Sequence, residues 1–242
     1  MVRNAVSRWA PSVLPLAVLL LLAIATRPAH ADVIGIGDVL PAIDDPENPG
    51  TQIPNLPIGG GNVADTIVVG GTGQMIGDTD TGLMIIDIPA FTAPLTSPGG
   101  IIGGTPDGAG VVQIFSLGSI WRVSNALVVG AFGQGTLELI NGGQLSENPN
   151  SPAAPTLEVF VGEGFGSQGF VNLRGNGSLL RSNRLVIGGA GFGQMSMTTR
   201  ARTTTVSEAI IGELGTGNDI GVGFVSVDGQ LTRWTIGSTA GS

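Results

Sequence analysis

Apolar positions along the chain fall into three short phrases that recur, and each phrase has the pattern of a β-strand. The stretch LVVGAFGQGTLELINGGQL at Leu127–Leu145 contains all three. Its first phrase, LVVG, is an apolar run that ends at Gly130. In its second phrase, GTLEL, two leucines flank Glu138, which predicts a strand with one buried face. A turn then leads to the third phrase, QLS.

Copies of these phrases occur before and after this stretch at a nearly regular spacing. A propeller blade needs about 40 residues, whereas a unit of about 25 residues indicates one coil of a parallel β-helix. Third phrases are read at Gly118–Trp121, Gly177–Leu180 and Gly229–Leu231. The first phrases have valine or isoleucine before a final glycine, and these glycines, 24 to 33 residues apart, are Gly70, Gly103, Gly130, Gly162, Gly188, Gly212 and Gly237.

The repeat predicts an all-β fold, a right-handed parallel β-helix (solenoid) of about six to seven coils. Equivalent phrases on neighbouring coils should stack into columns of side chains. One inward column is predicted at Val69, Ile102, Val129, Val161, Ile187, Ile211 and Ile236. A second inward column is predicted at Met84, Val112, Leu137, Val171, Met195 and Val225, and an outward column at Ile85, Gln113, Glu138, Asn172, Ser196 and Ser226.

Composition divides the chain into three parts. Residues 1–31 have a basic start, an apolar run shorter than a membrane span and small residues at a cleavage site, which predicts a signal peptide. Residues 32–65 are rich in proline and aspartate and should form a leader or N-terminal cap. Residues 66–242 carry the coils, with loop insertions near 89–100 and 147–156. We therefore expect an exported protein, secreted or at the cell surface, without a membrane span after cleavage.

The charge of the predicted mature chain limits its partners. After residue 31 there are 18 acidic residues, seven arginines and no lysine, which gives a net charge of −11. Nucleic acid and anionic lipid need clustered cations, so neither is expected as a partner. One local cluster is interpreted as solvent-facing side chains on adjacent coils rather than as a polyanion site: Arg181, Arg184, Arg200 and Arg202.

The side chains available for catalysis are few. After residue 31 the chain has no histidine, cysteine or tyrosine, which excludes Ser-His-Asp and Cys-His catalysis and His/Cys zinc sites. A polysaccharide lyase or hydrolase would work through neighbouring carboxylates, but the outward column contains only Glu138. The sequence therefore predicts no enzyme and no catalytic, cofactor-binding or metal-binding residues.

Two features could still bind ligands. Asp78 and Asp80 alternate in the stretch DTDTG, where they could hold calcium, but the Glu that closes an EF-hand loop is replaced by Pro89. We interpret this stretch as an acidic turn in solvent. Trp121 and Trp234 could stack on sugar rings if exposed, and we expect instead that they pack along the edge of the coil.

The segment Gly118–Trp121 that runs into Leu127–Leu145 resembles the glycine-rich repeat shared by autotransporter (type V secretion) passengers and PEP-CTERM proteins of Gram-negative bacteria. The resemblance covers Thr66 to Ser242. It implies an exported, passenger-like β-helix with surface, adhesion or spacer roles, and it carries over no catalytic residues. The chain differs from both families at its end, which has neither barrel strands nor a Pro-Glu-Pro segment with a hydrophobic helix.

We therefore expect an exported, non-enzymatic β-solenoid that acts as a structural or adhesive module at the cell surface. Its expected partners are extracellular glycans or other cell-surface proteins. The uncovered face of the last coil invites edge-to-edge self-association. The alternatives are a carbohydrate-active β-helix, similar to a polysaccharide lyase or hydrolase, and an inert fragment of a longer autotransporter.

Overall fold

The computed structural model describes residues 32–40, 43–44, 52–53, 61–62, 66–71, 80–88, 94–147, 156–213 and 221–237. These ranges contain strands but no helix, and so no helix long and apolar enough to cross a membrane. The predicted signal peptide and most of the insertion predicted at 147–156 lie outside them. The strands are β1 (Asp32–Gly37), β2 (Val39–Leu40), β3 (Ile43–Asp44), β4 (Gln52–Ile53), β5 (Gly61–Asn62), β6 (Ile67–Val69), β7 (Thr81–Asp87), β8 (Leu95–Ile102), β9 (Ala109–Phe115), β10 (Ile120–Val129), β11 (Gln134–Ile140), β12 (Gln144–Ser146), β13 (Glu158–Val161), β14 (Gln168–Arg174), β15 (Leu179–Ile187), β16 (Phe192–Thr198), β17 (Arg202–Ile211), β18 (Val222–Val227) and β19 (Arg233–Ile236).

Two sheets enclose the core. Sheet A has the order β1-β7-β9-β11-β14-β16-β18, and sheet B has the order β19-β17-β15-β12-β10-β8-β6-β2. In sheet B, β13 lies beside β10 and β15, and β5 lies beside β8. Apart from β1 and β2, neighbouring strands in both sheets are parallel. The predicted parallel β-solenoid is confirmed, with about five turns.

The inward columns are confirmed by the register of the strands. In sheet B, Val129 lies opposite Ile102 on one side and Val161 on the other. In sheet A, Leu137 lies between Val112 and Val171. All six side chains are fully buried in one continuous core. β-Branched side chains and leucine suit these positions, because each packs closely on its counterpart one coil away.

The predicted seventh copy of the first phrase is wrong. Ile236 lies opposite Thr205, and Trp234 lies opposite Thr203, so β19 continues the third phrase and starts no new coil. Ile211 is the last residue of its column. The error arises because β19 also ends in isoleucine followed by a left-handed glycine, Gly237 (φ 94°), and this local pattern is common to both phrases. The solenoid therefore has about five turns instead of six or seven.

The turn from sheet B to sheet A requires glycine at two positions in each coil. Gly130 adopts φ 73°, which favours a residue without a side chain. Five residues later, a Cβ on Gly135 would lie 2.5 Å from the carbonyl oxygen of Ile102 and 2.2 Å from the backbone nitrogen of Gly130. Sheet A therefore approaches the turn too closely for any other residue. The glycines in register with Gly135 on the other coils are equally close to neighbouring backbone atoms, which explains why glycine recurs there: Gly110, Gly169, Gly193 and Gly223.

The turn from sheet A to sheet B is held by hydroxyl groups that join adjacent coils. Ser178 Oγ accepts a hydrogen bond from Gly142 N of the preceding coil (3.2 Å) and donates to Arg174 O (2.7 Å). Two coils further on, Thr232 Oγ1 accepts from Arg200 N (3.1 Å). These bonds satisfy backbone donors that no sheet ladder reaches. The residue at this turn is left-handed in five coils, and a hydroxyl residue follows it in three of them: Gly118, Gly142, Gly177, Arg200 and Leu231 are left-handed, and Ser119, Ser178 and Thr232 carry the hydroxyls.

Leu231 shows that the third phrase predicted at Gly229–Leu231 is also displaced. Its side chain is exposed, and it occupies the left-handed turn position. The inward position that corresponds to Trp121 is taken by Trp234, since the column runs from Trp121 through Leu145 to Leu180, Thr203 and Trp234.

Part of the predicted insertion at 89–100 is a strand. β8 begins at Leu95 and contains Pro98, although a proline cannot donate to an inner ladder. The register with β10 shifts between Val123 and Ala126, opposite Ser97 and Gly99, so Pro98 lies at a bulge. A bulge accommodates the missing donor, and the strand continues through it.

The two ends of the solenoid differ. At the N-terminal end, β1 pairs antiparallel with β7, and β2 pairs antiparallel with β6, which is the arrangement of a cap. At the C-terminal end, β18 and β19 are the last strands of sheets A and B. Ile211, Val227 and Ile236 are 49%, 47% and 55% exposed there, although their counterparts one coil earlier are buried.

Candidate ligand-binding surfaces

The predicted outward column of sheet A has the expected register, but its first two residues are buried on the outer side of the sheet. Glu138 lies between Gln113 and Asn172, and the column continues through Ser196 and Ser226. Ile85 and Gln113 are only 4% and 1% exposed. The solvent-facing part of this column therefore begins at Glu138 and contains one carboxylate.

Glu138 is engaged by two neighbours. Gln113 Nε2 donates a hydrogen bond of 2.7 Å to Glu138 Oε2, and Arg174 Nη2 lies 3.7 Å from the same oxygen. Glycoside hydrolysis needs two carboxyl groups about 5 to 10 Å apart. The strands on either side present an amide at this position, Gln113 and Asn172, so the column supplies no second carboxylate. The arrangement holds Glu138 as a paired anion.

Three phenylalanines form an aromatic strip on the outer face of sheet A, in which Phe170 and Phe192 are half-buried and Phe224 is exposed. The Phe170 and Phe192 ring centroids are 5.9 Å apart, and those of Phe192 and Phe224 are 5.7 Å apart, with both pairs tilted. The exposed fraction of Phe224 is 55%.

The aromatic strip is flanked by uncharged polar side chains. Gln194 lies between Phe170 and Phe224 in the register, and Asn172 and Ser196 follow on the same face. The strip was not predicted from the sequence, because the predicted outward column contains the middle residue of each second phrase and not the residue before that phrase. The sequence does carry a signal there: Phe170 and Phe224 each directly precede the inward valine of the second phrase, and this position points outward.

Arg184 is the centre of an ion-pair network with glutamates on sheet B. It lies opposite Glu158 on one strand and Glu208 on the other. Arg184 Nε donates to Glu208 Oε2 at 3.0 Å, and Nη2 lies 3.5 Å from Glu213 Oε1. The pKa of Arg184 is raised, mainly by the hydrogen bond to Glu208. Burial lowers this pKa, and the negative charges of the nearby glutamates raise it further.

The Arg184 guanidinium also lies 5.7 Å from the centroid of the Phe160 ring, within the range of a cation–π contact. Its charge is therefore balanced by neighbours within the protein. The network stabilises sheet B just after the register shift between Ser182 and Arg184. The Arg184 guanidinium is therefore not available to bind an external anion.

Four other arginines form what we call the arginine patch: Arg181, Arg200, Arg202 and Arg233. Arg202 and Arg233 lie directly opposite each other on β17 and β19, and Arg181 lies on β15, displaced by two residues from the partner of Arg202. All four side chains are exposed. Among the described residues, none of the four has an ion pair with a carboxylate.

The acidic stretch at 78–82 is described only in part. Asp78 lies outside the described residues, so its calcium interpretation stays untested. Asp80 Oδ2 accepts a hydrogen bond of 3.0 Å from Thr105 Oγ1 on the next coil. In the part of the chain that the structure describes, no three Asp, Glu, His or Cys side chains are grouped closely enough to hold a metal ion.

The tryptophans pack against the core, whereas the sequence predicted packing along the edge of the coil. Trp121 is fully buried, and Trp234 is partly buried against the same core. Neither can stack on a sugar ring in solvent.

No family model, curated protein or solved structure matches this chain. The function must therefore be inferred from the surfaces themselves.

Proposed function

We propose that the protein is an exported, non-enzymatic β-solenoid that acts as a structural or adhesive module at the cell surface, as in an autotransporter passenger. The observation that carries the adhesive part is the aromatic strip, with Phe224 exposed, beside Asn172, Gln194 and Ser196. The sequence-based reasons for export are the signal-like residues 1–31 and the resemblance of the repeat.

The aromatic strip has the composition of a binding surface. Contiguous exposed apolar area is rare on a soluble protein and marks interaction sites. Ring faces provide broad apolar contact, while neighbouring amides and hydroxyls fix the orientation of a polar ligand. An extracellular glycan presents both kinds of group, a C–H face and hydroxyls. We therefore assign the strip to glycans in preference to an apolar protein partner.

Glycan-array binding by the purified protein tests the adhesive function. The double variant Phe192→Ala/Phe224→Ala should lose at least about tenfold in affinity, since two aromatic contacts of this kind are worth roughly 1 to 3 kcal/mol together. Phe165→Ala is the matched control, because Phe165 is 77% exposed but lies in a turn outside the strip. Absence of binding to every glycan and every cell surface would eliminate the adhesive role.

The same assay tests the absence of catalysis. Incubation of each bound glycan with the protein should release no new reducing ends or unsaturated products. Glu138→Gln should leave glycan binding and product formation unchanged, since Glu138 is already paired with Arg174 and Gln113. Product release that depends on Glu138 would instead establish a carbohydrate-active enzyme.

The structural part of the proposal rests on the C-terminal end of the solenoid. β18 and β19 each have a partner strand on one side only among the described strands, and β18 has the uncharged sequence VGFVSV. An uncharged edge strand without proline is a template for pairing with another chain. The N-terminal end is closed by antiparallel β1 and β2. We propose that two copies associate through their C-terminal ends and form a pair instead of an open filament.

A further inference from the structure

The arginine patch contains charge that the fold does not need. Arg202 and Arg233 are direct neighbours on parallel strands, which lie about 4.8 Å apart, and like charges in this position destabilise a sheet. Within the described ranges no carboxylate pairs with either one. A chain with a net charge of −11 after residue 31 has enough acidic residues to neutralise them, as it does for Arg184.

Arg200 adds to this unfavourable arrangement. Its backbone is left-handed (φ 64°), at a turn position that glycine occupies in three earlier coils as Gly118, Gly142 and Gly177. A residue with a side chain is strained in this conformation. The turn therefore gives no local reason for an arginine, and its exposed guanidinium extends the positive surface that Arg202 and Arg233 form.

We infer that the arginine patch is a binding site for an acidic polysaccharide, a linear glycan that carries carboxylate or sulfate groups. This inference rests on the proposed adhesive function and names the ligand of a second surface, on sheet B instead of sheet A. Guanidinium groups bind carboxylate and sulfate oxygens through paired N–H donors in a fixed geometry. Arginines on successive coils are arranged along the solenoid axis, which suits a chain with repeating charges.

The neighbours of the patch favour a glycan over a nucleic acid. On this face the residues beside the arginines are Leu179, Thr204 and Thr235. Trp234, the nearest tryptophan in sequence, is packed against the core. Single-stranded nucleic acid needs exposed aromatic side chains on which bases stack, and the patch provides none. Thr235 Oγ1 accepts a hydrogen bond from Arg233 Nε (3.1 Å), and the threonine hydroxyls can still donate to sugar hydroxyls between the charges.

Binding to polymers of defined charge tests the inference. The purified protein should bind polygalacturonate, dextran sulfate or both, and should not bind uncharged dextran at this site. Arg202→Gln/Arg233→Gln should weaken that binding by at least about tenfold. Raising the salt concentration from about 50 to 200 mM should weaken it by a similar factor, because binding releases counterions from the polymer and this release is less favourable at higher salt. Comparison of the two anionic polymers distinguishes carboxylate from sulfate recognition.

Two controls separate a binding role from a structural one. Arg174→Gln removes the same charge from an exposed arginine on sheet A and should change the affinity less than twofold. The urea midpoint of Arg202→Gln/Arg233→Gln should equal or exceed that of wild type, since two like charges are removed. A marked fall in this midpoint would indicate a structural role and overturn the inference.

The remaining outcomes separate this inference from the proposed function. Equal affinity of wild type and Arg202→Gln/Arg233→Gln for the acidic polymers, with glycan binding at the aromatic strip intact, would eliminate the site and leave the adhesive function standing. Tighter binding to single-stranded DNA than to either acidic glycan would also overturn it. If the wild-type protein binds no glycan at all, both the arginine-patch site and the adhesive function are eliminated.

Discussion

Trp121 donates a hydrogen bond from Nε1 to Ser97 Oγ across one coil, at 2.9 Å, and both side chains are buried. The same arrangement recurs at the C-terminal end, where Trp234 Nε1 donates to Thr205 Oγ1 at 3.2 Å. In each pair the hydroxyl lies two residues beyond the register partner of the tryptophan, Leu95 or Thr203. An indole can therefore enter the core of this solenoid where the preceding coil supplies a hydroxyl.

Ser97→Ala should destabilise the protein by about 1 to 3 kcal/mol. The substitution leaves the buried Trp121 indole N–H without an acceptor, and the cost is the desolvation of an unpaired donor. It also removes the bond from Ser97 Oγ to Gly99 O at the bulge of β8. Urea unfolding followed by tryptophan fluorescence measures the effect.

Thr205→Ser is the conservative control for the second pair, and Thr205→Ala is its test. Trp234 is only partly buried, so water can replace the lost acceptor. Thr205→Ala should therefore cost less than Ser97→Ala, and Thr205→Ser should cost less again. Equal losses at the two sites would show that the hydrogen bond is not what admits the indole.

Gly135→Ala should prevent correct folding or lower the melting temperature by many degrees. The added Cβ would overlap the backbone of Ile102 and Gly130 in two coils. Gly166→Ala is the matched control: its φ of 74° strains any side chain, but no atom lies within 4 Å of the added Cβ. We expect it to cost about 1 to 2 kcal/mol, a shift of only a few degrees. Similar losses for both variants, measured by thermal unfolding, would contradict the close-approach explanation.

The sequence predicted the core well, because the period-two pattern determines which side chains face inward. Val129 and Leu137 each carry this pattern within a single phrase, and their stacking partners were correct. The assignment failed at Ile236, where an apolar residue before a left-handed glycine occurs in two different strands of the coil. Only pairing with Thr205 distinguishes these strands.

The surfaces were less predictable, because they depend on register between residues that are far apart in sequence. The adjacency of Arg202 and Arg233 follows from β17 pairing with β19 across a coil of irregular length. The burial of Gln113 and Ile85 on the outer side of sheet A could not be read from their alternation. The aromatic strip was detectable in principle, since outward positions alternate with the inward valines.

Glu163→Gln should stabilise the protein at neutral pH and have less effect below about pH 4. Desolvation in the turn after β13 raises the pKa of Glu163 above its usual value of 4.5. The folded state therefore retains a proton that the unfolded state has already lost. The associated stability is present at low pH and is lost as the pH rises through the folded pKa. The effect should be small, because the side chain is exposed.

Urea midpoints of wild type and Glu163→Gln at several pH values between 3 and 8 provide the measurement. Leu117→Gln, at an exposed turn and without a titratable group, is the control and should differ from wild type by the same amount throughout. A difference between Glu163→Gln and wild type that does not change with pH would exclude the desolvated carboxylate as its cause.

Val227→Glu should abolish the proposed association of two copies and leave the fold intact. Val227 lies in the inward column after Met197, but it is 47% exposed because no described strand follows β18. A charge there opposes both burial of the end face and pairing of the strand edge. Sedimentation velocity should give dimers for wild type at micromolar concentration and monomers for the variant. Phe165→Glu places the same charge on an equally apolar but remote turn and should remain dimeric. A monomeric wild type, or filaments that lengthen with concentration, would contradict closed pairing through the C-terminal ends.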